Sequence, residues 1–197
     1  MTVDLAAALA EVLGAASVTD VTRLSGGASR DTFRFVADGR PLILQRQRAG
    51  DVRDMGQEAM VVQAAGAAGV PVATLLASST DPSALGAAYM ILTAVDGETI
   101  ARKILRDELY APARAALPAQ LGAALASLHA APTAGLQSLP STDQVQQYRA
   151  VLDQLGQPHP TFELVFQWLE SHRPTGQRQV LVHGDFRLGN VIVGPEG

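Results

Sequence analysis

The residues whose types and spacing best suit catalysis lie in the stretch 183–190. It reads His-Gly-Asp-Phe-Arg-Leu-Gly-Asn, so Asp185 precedes Asn190 by five positions. This pair suits phosphoryl transfer, in which an Asp orients the proton of an attacking hydroxyl and an Asn oxygen binds the Mg²⁺ that bridges ATP phosphates. Gly184 and Gly189 give the backbone the freedom to bring both side chains to one point.

Two short apolar runs flank this stretch, Gln179–Val182 and Val191–Val193. Runs of this length and composition are typical of strands. We therefore expect a tight loop between two strands, which would hold Asp185 and Asn190 side by side. The alternative is an ordinary turn with a solvated Asp, because short motifs recur by chance.

His-Gly-Asp followed by Asn at this spacing resembles the catalytic loop of the aminoglycoside phosphotransferase and choline kinase family, a branch of the protein-kinase-like fold. The resemblance implies transfer of the γ-phosphate to a substrate hydroxyl, with ATP and Mg²⁺ as cofactors. It implies that Asp185 is the catalytic base, that His183 braces the catalytic loop by hydrogen bonding, and that Asn190 is a metal ligand.

The same resemblance implies an α+β, protein-kinase-like fold with two lobes. Residues 1–92 would form an N-lobe with an antiparallel sheet and helices. Residues 93–97 would form the hinge, and residues 98–197 a helical and incomplete C-lobe that carries the loop 183–190.

A glycine-rich turn follows the first expected strand. That strand ends near Leu24, and an alternating strand with Phe33 and Phe35 leaves the turn. A Gly-Gly turn lets backbone N–H groups approach phosphate oxygens closely, although most such turns are simple hairpins. The resemblance to the family's nucleotide loop assigns the phosphate contacts to four residues: Ser25, Gly26, Gly27 and Ser29.

The next strand, at 41–46, should carry a cation for the phosphates. Counted from its apolar run, the family's Lys or Arg falls on Gln45, and Arg46 follows. Adjacent strand residues face opposite sides, so either a bulge turns Arg46 inward or the cation is lost. We expect Arg46, because a phosphate site without a cation would bind ATP poorly. The alternative is an ordinary charged strand face.

Residues 53–68 have helical spacing, and Glu58 shares a face with Met55. A carboxylate on an inward face needs a cationic partner. The resemblance implies that Glu58 holds the strand cation on the phosphates, so we expect it to pair with Arg46 or to hydrogen-bond Gln45. The alternative is a Glu at the rim of the apolar stripe.

A buried strand at 88–93 runs into Ala94 and Val95. These two residues resemble the family's hinge, where backbone groups would hydrogen-bond adenine. Their side chains are apolar, so the alternative is simply the end of a strand.

The pattern after residue 98 is helical. One helix has leucines at helical spacing: Leu117, Leu121, Leu125 and Leu128. Residues 143–155 and 161–172 suggest two more helices, the second with Thr161 as its N-cap. One face of that helix predicts core packing: Phe162, Val165 and Leu169.

Composition narrows the class of protein. The 197 residues carry a formal charge of -4 without a basic block, which argues against a nucleic-acid binder. Cysteine is absent, which excludes disulfides and thiolate metal sites. The sequence has neither a basic leader at its start nor an apolar run that could span a bilayer. We expect a cytoplasmic protein with no membrane partner.

The family resemblance implies that the acceptor is a small molecule with a hydroxyl group. The charged segment 97–107 resembles a bacterial subgroup related to the kinase-like domain of acyl-CoA dehydrogenase fusions. This resemblance implies a hydroxyacyl-CoA whose phosphates lie near the cations of the segment. The alternative is a solvated helical face, and aminoglycoside, choline-like amine and sugar acceptors fit the motif equally.

In the family, a second Asp that binds the metal follows the catalytic loop, and the sequence to Gly197 contains none. We therefore expect a truncated chain with impaired phosphotransfer, whose uncovered apolar surface meets a second copy or a partner chain. The alternative function is a non-catalytic nucleotide-binding or protein-interaction module, similar to a pseudokinase. A metal hydrolase using His183 and Asp185 is a weaker alternative, because the other histidines lack ligand spacing.

Overall fold

Alternating apolar and polar residues build an antiparallel sheet in the first half of the chain. The computed structural model describes residues 4–24, 30–51, 53–141, 143–176 and 178–197. The sheet has the strand order β1-β2-β3-β5-β4. Its strands are β1 (Val18–Leu24), β2 (Arg30–Ala37), β3 (Arg40–Gln47), β4 (Leu75–Ser79) and β5 (Tyr89–Thr93).

Helices precede, interrupt and follow the sheet, which confirms the expected α+β class. The helices are α1 (Leu5–Leu13), α2 (Met55–Ala67), α3 (Ala101–Arg106), α4 (Ala111–Ala130), α5 (Gln144–Leu155) and α6 (Pro160–Ser171). None of the helices within the described ranges combines the length and apolar character that a bilayer span requires.

One face of the sheet packs against α1. The core on this face contains the buried side chains of Leu9, Phe35, Leu42 and Leu44. The helix begins at Asp4, whose carboxylate accepts hydrogen bonds from the N–H groups of the first turn, and it ends at a left-handed glycine. Local capping interactions therefore define both ends of α1.

The opposite face of the sheet packs against α2. Met55 of the helix is buried with Met90 and Leu92 of β5. The carboxylate of Asp54 caps the helix by accepting hydrogen bonds from the N–H groups of Gly56 and Gln57. The sequence predicts that the phosphate-binding cation and Glu58 lie on this face of the sheet.

The long helix α4 connects two apolar clusters. Near its end, Leu128 packs with Ala65 of α2 and with Leu181. Nearer its start, Leu117 packs with Ile104 of α3 and with Val193. The leucine spacing therefore predicted its buried face, and α4 links the helix beside the sheet to the segment that carries the 183–190 loop.

Helix α6 differs from the sequence prediction. It begins at Pro160 after an N-cap at His159, so the expected N-cap at Thr161 is wrong; proline suits the first helical position because its missing N–H has no intrahelical role there. The three side chains expected in the core are also partly or fully exposed: Phe162, Val165 and Leu169. The expected second copy or partner chain stays a prediction.

The runs beside the 183–190 loop do not form the expected strand pair. Leu181 is buried in an apolar cluster, and Val193 makes an isolated antiparallel bridge with Glu98. Within the loop, Leu188–Asn190 forms a single 3₁₀ turn. The prediction was wrong because an apolar run becomes a strand only when another strand offers it a ladder of hydrogen bonds.

Candidate active site

The 183–190 loop brings its Asp and Asn into direct contact. Nδ2 of Asn190 donates hydrogen bonds to the carbonyl oxygen of Asp185 at 2.9 Å and to its Oδ2 at 2.7 Å. The 3₁₀ turn Leu188–Asn190 folds the chain back so that residues five positions apart meet. The spacing in the sequence thus corresponds to a contact in the fold.

A cation also engages the carboxylate of Asp185. Nε of Arg187 lies 3.1 Å from Oδ1 and 3.2 Å from Oδ2. The hydrogen bond from Asn190, followed by that from Arg187, holds the pKa of Asp185 below its usual value. Asp185 is therefore ionised at neutral pH, and its side chain is 64% exposed, so a substrate can reach it.

His183 supports the loop from within. Its Nδ1 accepts a hydrogen bond of 3.3 Å from the N–H of Asp185. Its ring packs edge-on against Phe186, with 5.5 Å between the ring centroids. Gly184, between the two hydrogen-bonded residues, has φ of 81°, a conformation that disfavours other residue types.

The loop offers oxygen donors that suit a hard cation. Since the nitrogen of the Asn190 amide donates to Asp185, Oδ1 is the amide atom left for a metal ion. Mg²⁺ prefers oxygen ligands and takes only one or two from the protein when phosphates supply others. Across the described part of the chain, no group of three or more His, Asp and Glu side chains could hold a metal ion.

The four residues expected to contact phosphate oxygens in the glycine-rich turn lie outside the described residues: Ser25, Gly26, Gly27 and Ser29. The strands on either side pair with each other, with Leu24 opposite Thr32. The nucleotide side of the site is therefore described through β2, β3 and α2.

Arg46 does not face the phosphate side of the sheet, and its expected role is wrong. Its Nη1 donates to the carbonyl oxygen of Leu85 at 3.0 Å, and its guanidinium lies 5.1 Å from the ring centroid of Phe33. Both partners belong to the core beside α1. The pairing of β2 with β3 is regular, so the bulge that would turn Arg46 inward does not exist.

Gln45 lies on the α2 face instead. It pairs with Thr32 on one side and with Met90 on the other, and Met90 packs against α2. The position at which the family's cation was expected therefore holds a neutral amide.

The partner of Glu58 is Arg30, a residue for which the sequence motifs predicted no role. Nη2 of Arg30 forms an ion pair with Oε1 of Glu58, and Nη1 lies 2.8 Å from the sulfur of Met55. The expected contacts of Glu58 with Arg46 or Gln45 are wrong. The alternation of β2 contained the signal, because Arg30 is an odd number of positions from Phe33 and so faces the other side.

The backbone beyond β5 is partly engaged within the protein. The N–H of Ala94 donates to the carbonyl oxygen of Pro41 at 3.1 Å, so it is not available to adenine. The side chain of Val95 is exposed. The carbonyl oxygen is therefore the backbone group of Ala94 that remains for a nucleotide.

Backbone hydrogen bonds join the segment after β5 to the residues that follow the 183–190 loop. The N–H of Glu98 donates to the carbonyl of Val193 at 2.9 Å, and the N–H of Val193 donates back at 3.0 Å. A Cβ on Gly97 would lie 2.7 Å from Cγ2 of Ile192 and 2.8 Å from the Val193 carbonyl oxygen. Only glycine fits this close approach.

The charged segment 97–107 contains α3 and the turn that precedes it. The carboxylate of Glu98 accepts hydrogen bonds from the N–H groups of Thr99 and Ile100, both at 2.9 Å. Lys103 pairs with the same carboxylate at 2.9 Å. One cation of the segment, Lys103, is thus paired with the carboxylate that orders the turn before α3.

Comparison with known proteins decides the family. The phosphotransferase enzyme family (APH) matches residues 20–197. The chain belongs to this family. Curated relatives of this phosphotransferase-family chain include Acyl-CoA dehydrogenase family member 10 of Mus musculus, which is 29% identical in an alignment of 192 residues that covers 90% of this chain and 18% of that protein. Family member 11 of Mus musculus is 24% identical, over 91% of this chain and 25% of that protein. The chain thus spans a quarter or less of these relatives.

Solved structures give the same fold for this phosphotransferase-family chain. A Ralstonia eutropha protein classed as an aminoglycoside phosphotransferase superposes with a TM-score of 0.73 at 23% identity, over 90% of this chain and 55% of that one. The GDP complex of an aminoglycoside 2'-phosphotransferase IIIa mutant gives 0.65 at 16% identity, over 97% and 66%. The expected protein-kinase-like fold is confirmed, and the chain spans about half to two thirds of these structures.

Proposed function

We propose that this protein transfers the γ-phosphate of ATP to a hydroxyl group of a small molecule. The observation that carries the proposal is the contact between Asp185 and Asn190, because it unites a proton acceptor with a metal-binding amide. Membership of the phosphotransferase family supports the same reaction class.

Asp185 would act on the attacking hydroxyl. Its lowered pKa keeps the carboxylate ionised at neutral pH, and its exposure leaves room for an acceptor. The carboxylate would accept a hydrogen bond from the hydroxyl and orient its oxygen for in-line attack. It would take the proton as the new bond to the γ-phosphorus forms and the bond to the bridging oxygen breaks, with ADP as the leaving group. His183 would fix the backbone of Asp185 through the hydrogen bond that its Nδ1 accepts from the N–H of that residue.

Asn190 would hold a metal ion through Oδ1. Mg²⁺ held there would supply positive charge that offsets the negative charge developing on the phosphates. The amide nitrogen of the same residue positions Asp185, so Asn190 serves both halves of the site.

The backbone near β5 would hold the nucleotide base. The carbonyl oxygen of Ala94 and the backbone of Val95 are the candidate partners of adenine, since the N–H of Ala94 is bonded to Pro41. Structures of two aminoglycoside phosphotransferases with this fold contain GDP, a purine nucleotide, which supports a nucleotide site of this kind.

The acceptor we favour is a hydroxyacyl-CoA. The curated relatives carry acyl-CoA dehydrogenase names, and the segment 97–107 adds two exposed cations, Arg102 and Arg106, on α3. Exposed arginines can bind the phosphates of such a thioester cofactor.

A non-catalytic nucleotide-binding module is the second candidate. Two observations favour it: Arg187 contacts both carboxylate oxygens of Asp185, and Gln45 stands where a phosphate cation is expected. A base paired in this way accepts a proton less readily, so impaired phosphotransfer is part of the same proposal.

The deciding experiment compares this protein with its Asp185→Asn variant. ATP turnover is measured against hydroxyacyl-CoA, choline, sugar and aminoglycoside acceptors, and ATP affinity is measured by calorimetry. A catalytic base predicts that the variant loses about 100- to 10,000-fold in turnover and keeps its ATP affinity within about threefold. ATP binding without turnover in the unmutated protein would favour the binding module, and absence of both would overturn the proposal.

A further inference from the structure

We propose that Arg30, at the start of β2, is the cation that binds the nucleotide phosphates, in place of the β3 position that holds Gln45. This inference rests on the proposed nucleotide site. It concerns a residue that the family motifs in the sequence did not indicate.

The position of Arg30 in the chain is the first argument. It is the first residue of β2 and directly follows residues 25–29, the glycine-rich segment to which the phosphate contacts are assigned. Arg30 is thus adjacent in the sequence to the residues that the family resemblance assigns to the phosphates.

The face of the sheet is the second argument. Arg30 pairs with Gln47, and Thr32 pairs with Gln45, so these four residues share the α2 face. Arg30 and Gln45 are diagonal neighbours across the two strands, a relationship that separates Cα atoms by about 7–8 Å. An arginine side chain spans that distance, so its guanidinium can reach the space in which a β3 cation would act.

Burial and pairing are the third argument. Arg30 is 7% exposed, and it is the buried charged residue of the described core. Its contact with Glu58 joins β2 to α2 and orients the guanidinium. Burying a charge is costly, and the ion pair with Glu58 offsets this cost while it limits the orientations of the guanidinium.

Donor capacity is the fourth argument. A guanidinium carries five N–H donors in a planar fork. Within the described residues, Arg30 contacts Glu58 through Nη2 and the sulfur of Met55 through Nη1, and a thioether is a weak acceptor. Donors therefore remain for a phosphate, which arginine binds with charge-assisted hydrogen bonds.

Other nearby cations are less suitable. Arg46 lies on the opposite face, against Phe33 and Leu85. Arg34 shares the face of Arg30, but it is paired with Asp96 near the hinge segment, at 3.2 Å. The geometry thus favours Arg30 over both.

The test separates phosphate binding from folding by comparing ADP with adenosine, which lacks phosphates. Calorimetry gives both affinities, at fixed Mg²⁺, for the unmutated protein and for Arg30→Gln, Arg30→Lys and Arg46→Gln. We expect Arg30→Gln to weaken ADP binding about 10- to 100-fold and to change adenosine binding less than about twofold. Arg30→Lys keeps the charge and should give an intermediate loss, whereas Arg46→Gln should match the unmutated protein.

A relocation variant sharpens the test. In the double variant Arg30→Gln with Gln45→Arg, the cation returns to β3 on the same face, within reach of Glu58. We expect ADP affinity to recover to within about fivefold of the unmutated protein. A merely structural role of Arg30 would not predict selective rescue of phosphate binding.

The possible failures are distinguishable. If the unmutated protein binds ADP and Arg30→Gln binds it equally well, or loses ADP and adenosine together, the assignment of Arg30 is overturned and the nucleotide site stands. If the unmutated protein binds neither ADP nor adenosine, the proposed nucleotide site fails and the Arg30 assignment fails with it. Thermal unfolding of Arg30→Lys shows whether loss of binding reflects loss of fold.

Discussion

Asn190 donates a hydrogen bond of 2.7 Å from Nδ2 to Oδ2 of Asp185. The same nitrogen also binds the carbonyl oxygen of Asp185 at 2.9 Å, so the amide holds both the backbone and the carboxylate of that residue. This contact is the largest cause of the lowered pKa of Asp185, ahead of the hydrogen bond from Arg187. Asn190 therefore sets the ionisation of the base as well as its orientation.

Replacing Asn190 with Ala should raise the pKa of Asp185 toward its usual value. The hydrogen bond stabilises the charged form, so its loss makes the carboxylate protonate at a higher pH. The carboxyl carbon resonance of Asp185, followed by NMR during an acid titration, measures this directly. In an activity assay, the acid limb of the rate profile should move to higher pH in the same variant.

The same spectra contain an internal control. The pKa of Asp81 is lowered by hydrogen bonds from the N–H and side chain of Ser83, remote in sequence from the catalytic loop. It should titrate identically in both proteins. An unchanged pKa of Asp185 in Asn190→Ala would contradict the proposed role of the amide.

Gly97→Ala should destabilise the protein. The new methyl group would lie 2.8 Å from the carbonyl oxygen of Val193, which accepts the N–H of Glu98. Relief of this clash requires a backbone shift that weakens the bridge between Glu98 and Val193. We expect a loss of about 1–3 kcal/mol in the free energy of unfolding, measured by urea denaturation.

Gly122→Ala is the matched control for this substitution. Gly122 lies within α4, and a Cβ there would meet nothing within 4 Å. The same chemical change should therefore stabilise the protein by about 0.5–1 kcal/mol, because alanine favours the helix. Equal effects at the two glycines would show that the close approach at Gly97 has no energetic weight.

The residues of the catalytic loop could be predicted because their relationship is local. Asp185 and Asn190 lie in one short loop, so their spacing alone brings them together. The α1 helix and the β2–β3 hairpin were predictable for the same reason, since caps, turns and alternation act over a few positions.

The partner of Glu58 could not be found by spacing, because the pair joins residues on β2 and α2. Identifying Arg30 required the face of β2 and the regular register with β3. The expected bulge at Arg46 assumed that the demand for a cation would override alternation. Alternation prevailed, because turning one residue over would disrupt the ladder and expose the apolar neighbours of Arg46.

The hydrogen bonds that Glu98 accepts from the N–H groups of Thr99 and Ile100, in the turn before α3, should be lost in acid. Hydrogen bonds from the N–H of Ile100, followed by the side chain of Lys103, lower the pKa of Glu98. A lowered pKa means that the stabilising contribution is present above the unfolded-state value and is lost as the pH falls through the folded-state value. The amide proton shifts of Thr99 and Ile100 should therefore titrate with a midpoint below the usual Glu range.

Glu98→Gln removes the titrating group and provides the control for that measurement. The two amide shifts should become independent of pH between about 2 and 6, because the nearby carboxylate no longer changes charge. A midpoint at or above the usual Glu pKa in the unmutated protein would contradict the hydrogen bonds from Thr99 and Ile100 to Glu98.

Two phenylalanines measure how differently the sheet and α6 are packed. Phe35 is 0% exposed in the core beside α1, whereas Phe162 on α6 is 53% exposed. Phe35→Ala should lower the free energy of unfolding by about 3–5 kcal/mol, because it removes a ring and leaves a cavity. Phe162→Ala should change it by less than about 0.5 kcal/mol. Comparable losses in urea denaturation would mean that Phe162 is buried in the protein in solution.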